Sequence, residues 1–355
     1  MGVVNILTVI NEPNYGACLQ GYALYEMIRR LGHSPRMINL SMNYRNRPYS
    51  IINRLAIPIY YRLKGYSHCY NMAKEFTNKY MPRQTKEFHS MEELTAHEWN
   101  EDEYYIIGSD QVWNYAITQN LSLAYLLSFL PDKCKLRYSY ASSFGFINDD
   151  ETILDKFPIQ YFKKFRRIGV REKRGVDFLH RNGVDSTNVI DPTLLLENYD
   201  NLINGKVEDK QELLFMALSD SEEQQSFVEE MAKKFGLPIR KIYGYLQPSR
   251  STNSKFLSIG NWLKLIREAE LIISDSFHAT VFSILMHRQF YVYISKPTKA
   301  ERIINLLDSL GISRSRIIDN ADKANVNDRI DYSQVDSRLA SLRKNSIDFL
   351  KNIFV

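Results

Sequence analysis

Residues 271–286 read Leu271-Ile272-Ile273-Ser274-Asp275-Ser276-Phe277-His278-Ala279-Thr280-Val281-Phe282-Ser283-Ile284-Leu285-Met286. The first four form an apolar run too short for a helix, whereas the segment after His278 is apolar and long enough for a buried one. A buried strand passing directly into a helix is the repeating unit of a parallel α/β sheet. Ligands of such sheets lie beyond the carboxyl ends of the strands, where free amides of the next helix face anions. This junction brings Asp275, Ser276 and His278 to that place together.

Outward from this stretch the alternation continues. Strands are predicted at 213–218, 239–245 and 290–294, with helices at 222–235 and 260–270. Earlier in the chain, strands are predicted at 5–10, 35–40, 104–108, 135–140, 167–170 and 189–190. Helical spacing runs from Cys18 to Ile28 and recurs at 153–165 and 174–182. Such alternation implies mostly parallel sheets. The polar, aperiodic stretch 198–210 divides the chain into two doubly wound, Rossmann-like halves facing a cleft, residues 1–197 and 211–330. A C-terminal helix occupies 331–355, with Leu339, Leu342, Ile347, Leu350 and Ile353 as its apolar stripe.

At 355 residues the chain is long enough for two cores. It lacks an apolar run of membrane-spanning length and begins without a signal-peptide pattern, so the expectation is a cytoplasmic protein. Cys18, Cys69 and Cys134 are too far apart for metal-ligand spacing or a disulfide framework, and no metal is expected. Net charge is +5, unevenly spread: no acidic residue lies between Glu26 and Glu75. That interval holds a basic, Tyr-rich insertion at about 41–75, suited to an anionic membrane surface or a phosphorylated ligand, or else a solvated helical face. Nucleic acid has only this insertion in its favour, and no nucleic-acid partner is expected.

Polar residues gather at other strand ends. Asn14-Tyr15-Gly16-Ala17 sits between strand and helix, either as a close approach to a ligand or as a tight turn. It lacks the glycines of a dinucleotide fingerprint and the Gly-Lys-Ser/Thr of a phosphate loop, so neither NAD nor ATP is expected. Gly108-Ser109-Asp110-Gln111-Val112-Trp113-Asn114 can bond sugar hydroxyls or cap a helix. Arg171, ending a strand, can clamp a carboxylate or phosphate, or pair with Glu172 or another acid. Asp191-Pro192-Thr193 reads as structural. His278 can hold or deliver a proton near neutral pH. No Gly-x-Ser-x-Gly elbow surrounds Ser276, which disfavours a hydrolase.

Taken in order, Asn14-Tyr15-Gly16-Ala17 with Leu19-Gln20, the 108–114 loop, Tyr140-Ala141-Ser142-Ser143-Phe144-Gly145, Val170-Arg171-Glu172, Asp191-Pro192-Thr193-Leu194-Leu195 and Ser276-Phe277-His278 resemble the polysaccharide pyruvyl transferase family over nearly the whole chain. The resemblance implies a GT-B-like fold, phosphoenolpyruvate as co-substrate without a further cofactor, and a bacterial surface sugar as acceptor. It assigns His278 as the donor-site histidine and Arg171 as the anion-binding arginine, with Ser276 and Asp275 on the donor side. Asn14, Gly16, Gln20, Asp110 and Gln111 then fall on the acceptor side. Ala279, where the family often has glycine, and Ser258-Ile259-Gly260, where a proline is common, depart from the pattern. The basic insertion suggests a lipid-diphosphate-linked glycan at the inner membrane's cytoplasmic face. A nucleotide-sugar glycosyltransferase and a non-catalytic glycan-binding relative are the alternatives.

Overall fold

The computed structural model describes residues 2–41, 66–145, 150–217, 221–243, 257–294 and 301–355. Most of the basic insertion lies outside them; its last part belongs to the helix Tyr66–Tyr80.

Strands β1 (Val3–Leu7), β2 (Ser34–Met37), β3 (Tyr104–Ile107), β4 (Arg137–Ser142), β5 (Arg167–Val170) and β6 (Thr187–Asn188) form one sheet, ordered β2-β1-β3-β4-β5-β6. Strands β7 (Lys210–Ala217), β8 (Ile239–Tyr243), β9 (Ala269–Ser274), β10 (Gln289–Tyr293) and β11 (Ile317–Ile318) form a second, ordered β11-β10-β9-β7-β8. Every pairing in both is parallel. In each, the chain starts inside the sheet, goes one way and returns to the other side. The order therefore reverses between β1 and β3, and between β7 and β9, the positions where doubly wound sheets bind ligands. The architecture is two Rossmann-like halves in a GT-B-like arrangement.

The period-2 alternation of strands decides the layers. Val4, Ile6, Leu214, Met216 and Ile272 face one continuous core shared by both halves, while Tyr105, Ile107, Phe215 and Ile273 face the outer helices. Burial of both faces explains why these strands read as apolar runs. The shared core includes the helix Tyr15–Arg30, capped by Asn14, and the segment Leu194–Leu196 that joins the halves. Tyr15 stacks on Trp262 at 4.9 Å, anchoring the start of that helix to the second half.

The helix expected at 153–165 is two helices, Asp150–Lys156 and Ile159–Phe162. Pro158, extended at φ −60° and ψ 132°, interrupts them because it has no amide to continue the first. The C-terminal helix spans Tyr332–Lys351, starting where expected because Asp331 caps it and ending four residues short of the expected 355. It returns to the first half: Arg343 donates to the Leu194 carbonyl, and Ser346 accepts from the Ile190 amide at 3.1 Å. Phe349 lies over Gly169, where an added Cβ would meet its ring at 3.0 Å. Among the described residues no helix is long and apolar enough to cross a membrane.

Candidate active site

The carboxyl ends of β3, β4 and β5 are laced into one surface. Asp110 takes a left-handed conformation at φ 72°, and its carbonyl accepts from the Val112 and Ser143 amides, tying the loop after β3 to the end of β4. Ser143 donates to Glu172 at 2.6 Å. These contacts bring three carboxylates around Arg171. Its Nη1 donates to Asp191 Oδ2 at 2.7 Å, its Nε donates to Glu172 Oε1 at 3.1 Å, and its Nη2 lies 3.9 Å from Asp110 Oδ1. The side chain is 5% exposed, yet Nη2 and Glu172 Oε2 have no hydrogen-bond partner among the described residues. The ion pair with acids expected as an alternative to ligand binding therefore exists, and it leaves Nη2 in reach of Asp110 without a hydrogen bond among the described residues.

The second half supplies the opposite wall. Ser276 caps the helix Phe277–Leu285 by accepting from the Ala279 amide, which puts His278 in the first turn. The imidazole is buried and faces the start of the helix Tyr15–Arg30: a Cβ on Gly16 would stand 1.9 Å from its Nδ1, so only glycine admits the ring. The other edge, Nε2, lies 3.9 Å from Asp191 Oδ2 and has no hydrogen-bond partner among the described residues. Phe277 presents its ring to two guanidiniums, Arg171 at 5.0 Å and Arg302 at 5.7 Å.

Electrostatics follow from this crowding. Burial pushes the His278 imidazole below its ordinary value, Arg171 and Arg302 push the same way, and Asp191 and Asp110 oppose them. Burial alone would weaken Arg171 as a base, but Glu172, Asp191 and Asp110 outweigh it and hold the guanidinium charged. Burial would raise the Asp191 carboxyl; Arg171, His278 and the bonds from Thr193 and Arg171 hold it below the usual range. For Arg302, burial and the neighbouring Arg171 charge lower its affinity for protons. Three carboxylates thus face two guanidiniums and an imidazole that prefers to be neutral, and an incoming anion is best accommodated if it arrives with a proton.

The other residues singled out in the sequence have varied places. Gln111 accepts from Asn114 at 2.8 Å, and the pair packs against Gly145. Asn14 is exposed and caps its helix. Gln20 is fully buried; its amide nitrogen donates to Thr8, and its oxygen accepts from the Ser109 amide at 3.2 Å, so it braces the loops after β1 and β3 from behind. Asp275 accepts from Gln224 at 3.3 Å. Sequence reasoning did not find Arg302. It begins the helix Glu301–Leu310, an amphipathic segment on which one basic residue looks like any solvated one. Asp191 was read as structural because proline follows it; its contacts with two halves of the site give no local sequence signal.

Among solved structures, UDP-GlcNAc 2-epimerase from Methanocaldococcus jannaschii is similar at 11% identity, with 96% of this chain and 99% of that one covered and a TM-score of 0.53. MnaA from S. aureus, solved with UDP, is similar at 10% identity, with 91% of this chain and 86% of that one covered and a TM-score of 0.51. At these identities the likeness concerns the fold. No curated protein matches the sequence. The sequence profile described as Polysaccharide pyruvyl transferase matches residues 14–297, which include both walls of the site as far as His278. The chain belongs to the polysaccharide pyruvyl transferase family.

Proposed function

We propose that the protein transfers pyruvate from phosphoenolpyruvate to two hydroxyls of a sugar in a surface-polysaccharide precursor, forming a cyclic ketal and releasing phosphate. The observation that carries this reading is a pair of buried atoms without a hydrogen-bond partner among the described residues, Arg171 Nη2 and His278 Nε2, on side chains that meet at Asp191 from opposite halves. A small, multiply charged anion is the ligand such a pair suits.

Arg171 and Arg302 hold the donor's carboxylate and phosphate. His278 gives a proton from Nε2 to the methylene carbon, forming a C–H bond from the alkene electron pair and leaving a cationic centre at the carbon that bears phosphate. One sugar hydroxyl adds there, and its proton can return to Nε2. The C–O bond to phosphate then breaks, its electron pair leaving with phosphate, and the second hydroxyl closes the ring as its proton passes to the departing phosphate. Asp275 and Ser276 shape the donor wall, while Asn14, Gly16 and the loop carrying Asp110 and Gln111 form the acceptor wall; Gln20, expected there, is fully buried and only braces it from behind. The acceptor is a lipid-diphosphate-linked glycan reached at the membrane face. Each Lys or Arg of the basic insertion near an anionic bilayer contributes about 1 kcal/mol.

The test is incubation with phosphoenolpyruvate and candidate lipid-linked or nucleotide-linked sugars. Acceptor-dependent phosphate release and a pyruvyl mass gain on the sugar are expected. Thermal protection by a nucleotide sugar but not by phosphoenolpyruvate would overturn the reading in favour of glycosyl transfer. Absence of phosphate release with every acceptor would favour a glycan-binding role. Binding to liposomes that is indifferent to anionic lipid and to salt would remove the membrane component.

A further inference from the structure

Asp191 is the one carboxylate seen to touch both walls among the described residues. Its Oδ1 accepts from the Thr193 amide at 3.0 Å and the Thr193 hydroxyl at 2.6 Å. Oδ2 is then left to accept from Arg171 Nη1 at 2.7 Å and to face His278 Nε2 at 3.9 Å. The side chain is essentially unexposed, and Asp191 itself is extended at ψ 139° ahead of Pro192, which restricts it to such geometry. The turn that follows packs on both the helix Tyr15–Arg30 and the helix Phe277–Leu285. Nε2 of the imidazole is itself shut off from solvent, and Asp191 is the nearest carboxylate beside it.

We infer that Asp191 is a positioning residue for the transfer, keeping a proton available on His278 Nε2 while it locks Arg171 in place as the anion clamp. The inference rests on the reading of His278 as proton donor given above. Charged groups reach the imidazole from four elements: Asp191 at the joining segment, Asp110 after β3, Arg171 after β5 and Arg302 in the helix Glu301–Leu310. Burial and the two guanidiniums disfavour the imidazolium. With Asp191 neutral, Asp110 alone opposes them, and the ring stays unprotonated at the pH where the donor must be protonated.

The experiment is an NMR titration of His278, assigned with His278→Gln, in the wild-type protein and in Asp191→Asn. The imidazole midpoint is expected to move to lower pH. The descent of kcat with rising pH should move with it, and kcat at pH 8 should fall on the order of a hundredfold. Asp191→Asn leaves a buried guanidinium short of a partner and can fail to fold. Comparing Arg171→Gln with Arg171→Gln/Asp191→Asn removes that problem, and the double variant should titrate at the lower pH. An unchanged imidazole midpoint in either folded comparison overturns the inference. The titration needs no substrate. A midpoint that moves in a protein inert toward phosphoenolpyruvate would overturn the proposed function and leave the coupling of Asp191 to His278 standing.

Discussion

Two buried arginines sit at opposite edges of the first sheet, and they are satisfied in opposite ways. Arg137 opens β4 at the amino edge, where its guanidinium donates to the carbonyls of Cys134, Leu127, Leu130 and Pro131. Burial lowers its affinity for protons, with only weak opposition from Cys134 and Asp132. Arg171 follows β5 at the carboxyl edge, where it meets carboxylates and leaves Nη2 without a hydrogen-bond partner among the described residues. A guanidinium that holds a fold spreads its donors over backbone carbonyls that never leave. One that binds a ligand is kept charged by acids and keeps a donor in reserve, at the edge where doubly wound sheets bind.

If the carboxyl edge carries the chemistry, damage there should separate activity from stability. His278→Gln is the largest expected effect: kcat should drop about a hundredfold to ten-thousandfold while the melting temperature near pH 7 changes little. The same variant has an acid signature. Because the folded-state value of His278 is lowered, its neutral burial stabilises the protein above the ordinary imidazole value near 6.5, and that contribution is lost as pH falls through the folded-state value. Thermal scans should therefore show His278→Gln losing less stability than wild type between about pH 6.5 and pH 5. Near-native turnover with phosphoenolpyruvate would remove His278 from the reaction.

The two arginines give a crossed pair of results. Arg171→Gln should lower kcat/KM for the donor by about tenfold to a hundredfold, the worth of one charge-assisted hydrogen bond, mainly through KM. It should also destabilise the fold, because Asp191 and Glu172 lose their cation. Arg137→Gln should lower the melting temperature by roughly 2 to 4 °C for each kcal/mol of lost bonding, with kcat and KM of the folded protein unchanged. If Arg137→Gln altered donor KM as strongly as Arg171→Gln, the contrast between the edges would fail.

Most of this edge was legible in the sequence. Arg171 and His278 stand directly after apolar runs bounded by turn residues, so strand ends could be located and their polar side chains placed on one rim. Asp110 was legible in the same way, though its left-handed backbone and its position against Arg171 were not. The helix expected at 222–235 is found there, held at its start by the capping box of Ser221 and Gln224 and closed by Gly236. What could not be read is what depends on two distant segments meeting. Gly16 reads in the sequence as a close approach to a ligand or a tight turn, but its small size is required by His278, far along the chain. Asp191 and Arg302 have ordinary local contexts and gain their roles from neighbours brought by other strands. The C-terminal helix was legible as amphipathic, and its return across both halves was not, because a stripe of Leu and Ile does not name its partner.

The charge balance at the carboxyl edge makes a further prediction. The free site pairs two guanidiniums with three carboxylates and a His278 whose proton affinity is lowered, so a bound anion at Nε2 should raise that affinity and draw a proton in. Donor affinity should then strengthen as pH falls, by up to about tenfold per unit, between the bound and free values of the imidazole. Calorimetry in two buffers of different ionisation enthalpy should show proton uptake on binding phosphoenolpyruvate, and His278→Gln should abolish it. Binding without proton exchange would mean that the donor's charge is met by the arginines alone.

Phe277 offers the finest comparison, because its ring lies beside Arg171 and Arg302 at once. Two guanidiniums so close repel each other, and this adds to burial in lowering the proton affinity of Arg302. An aromatic face attracts each by about 0.5 to 2 kcal/mol and fixes where each stands. Leucine of similar bulk would keep the packing at a modest cost in stability and remove that attraction. Phe277→Leu should therefore raise donor KM by about threefold to tenfold, with little change in kcat, whereas Phe277→Tyr, which keeps the ring, should restore it. An effect on kcat equal to that on KM would mean that the ring acts on His278, its neighbour in the same turn, and that the arginines are held apart by their carboxylates instead.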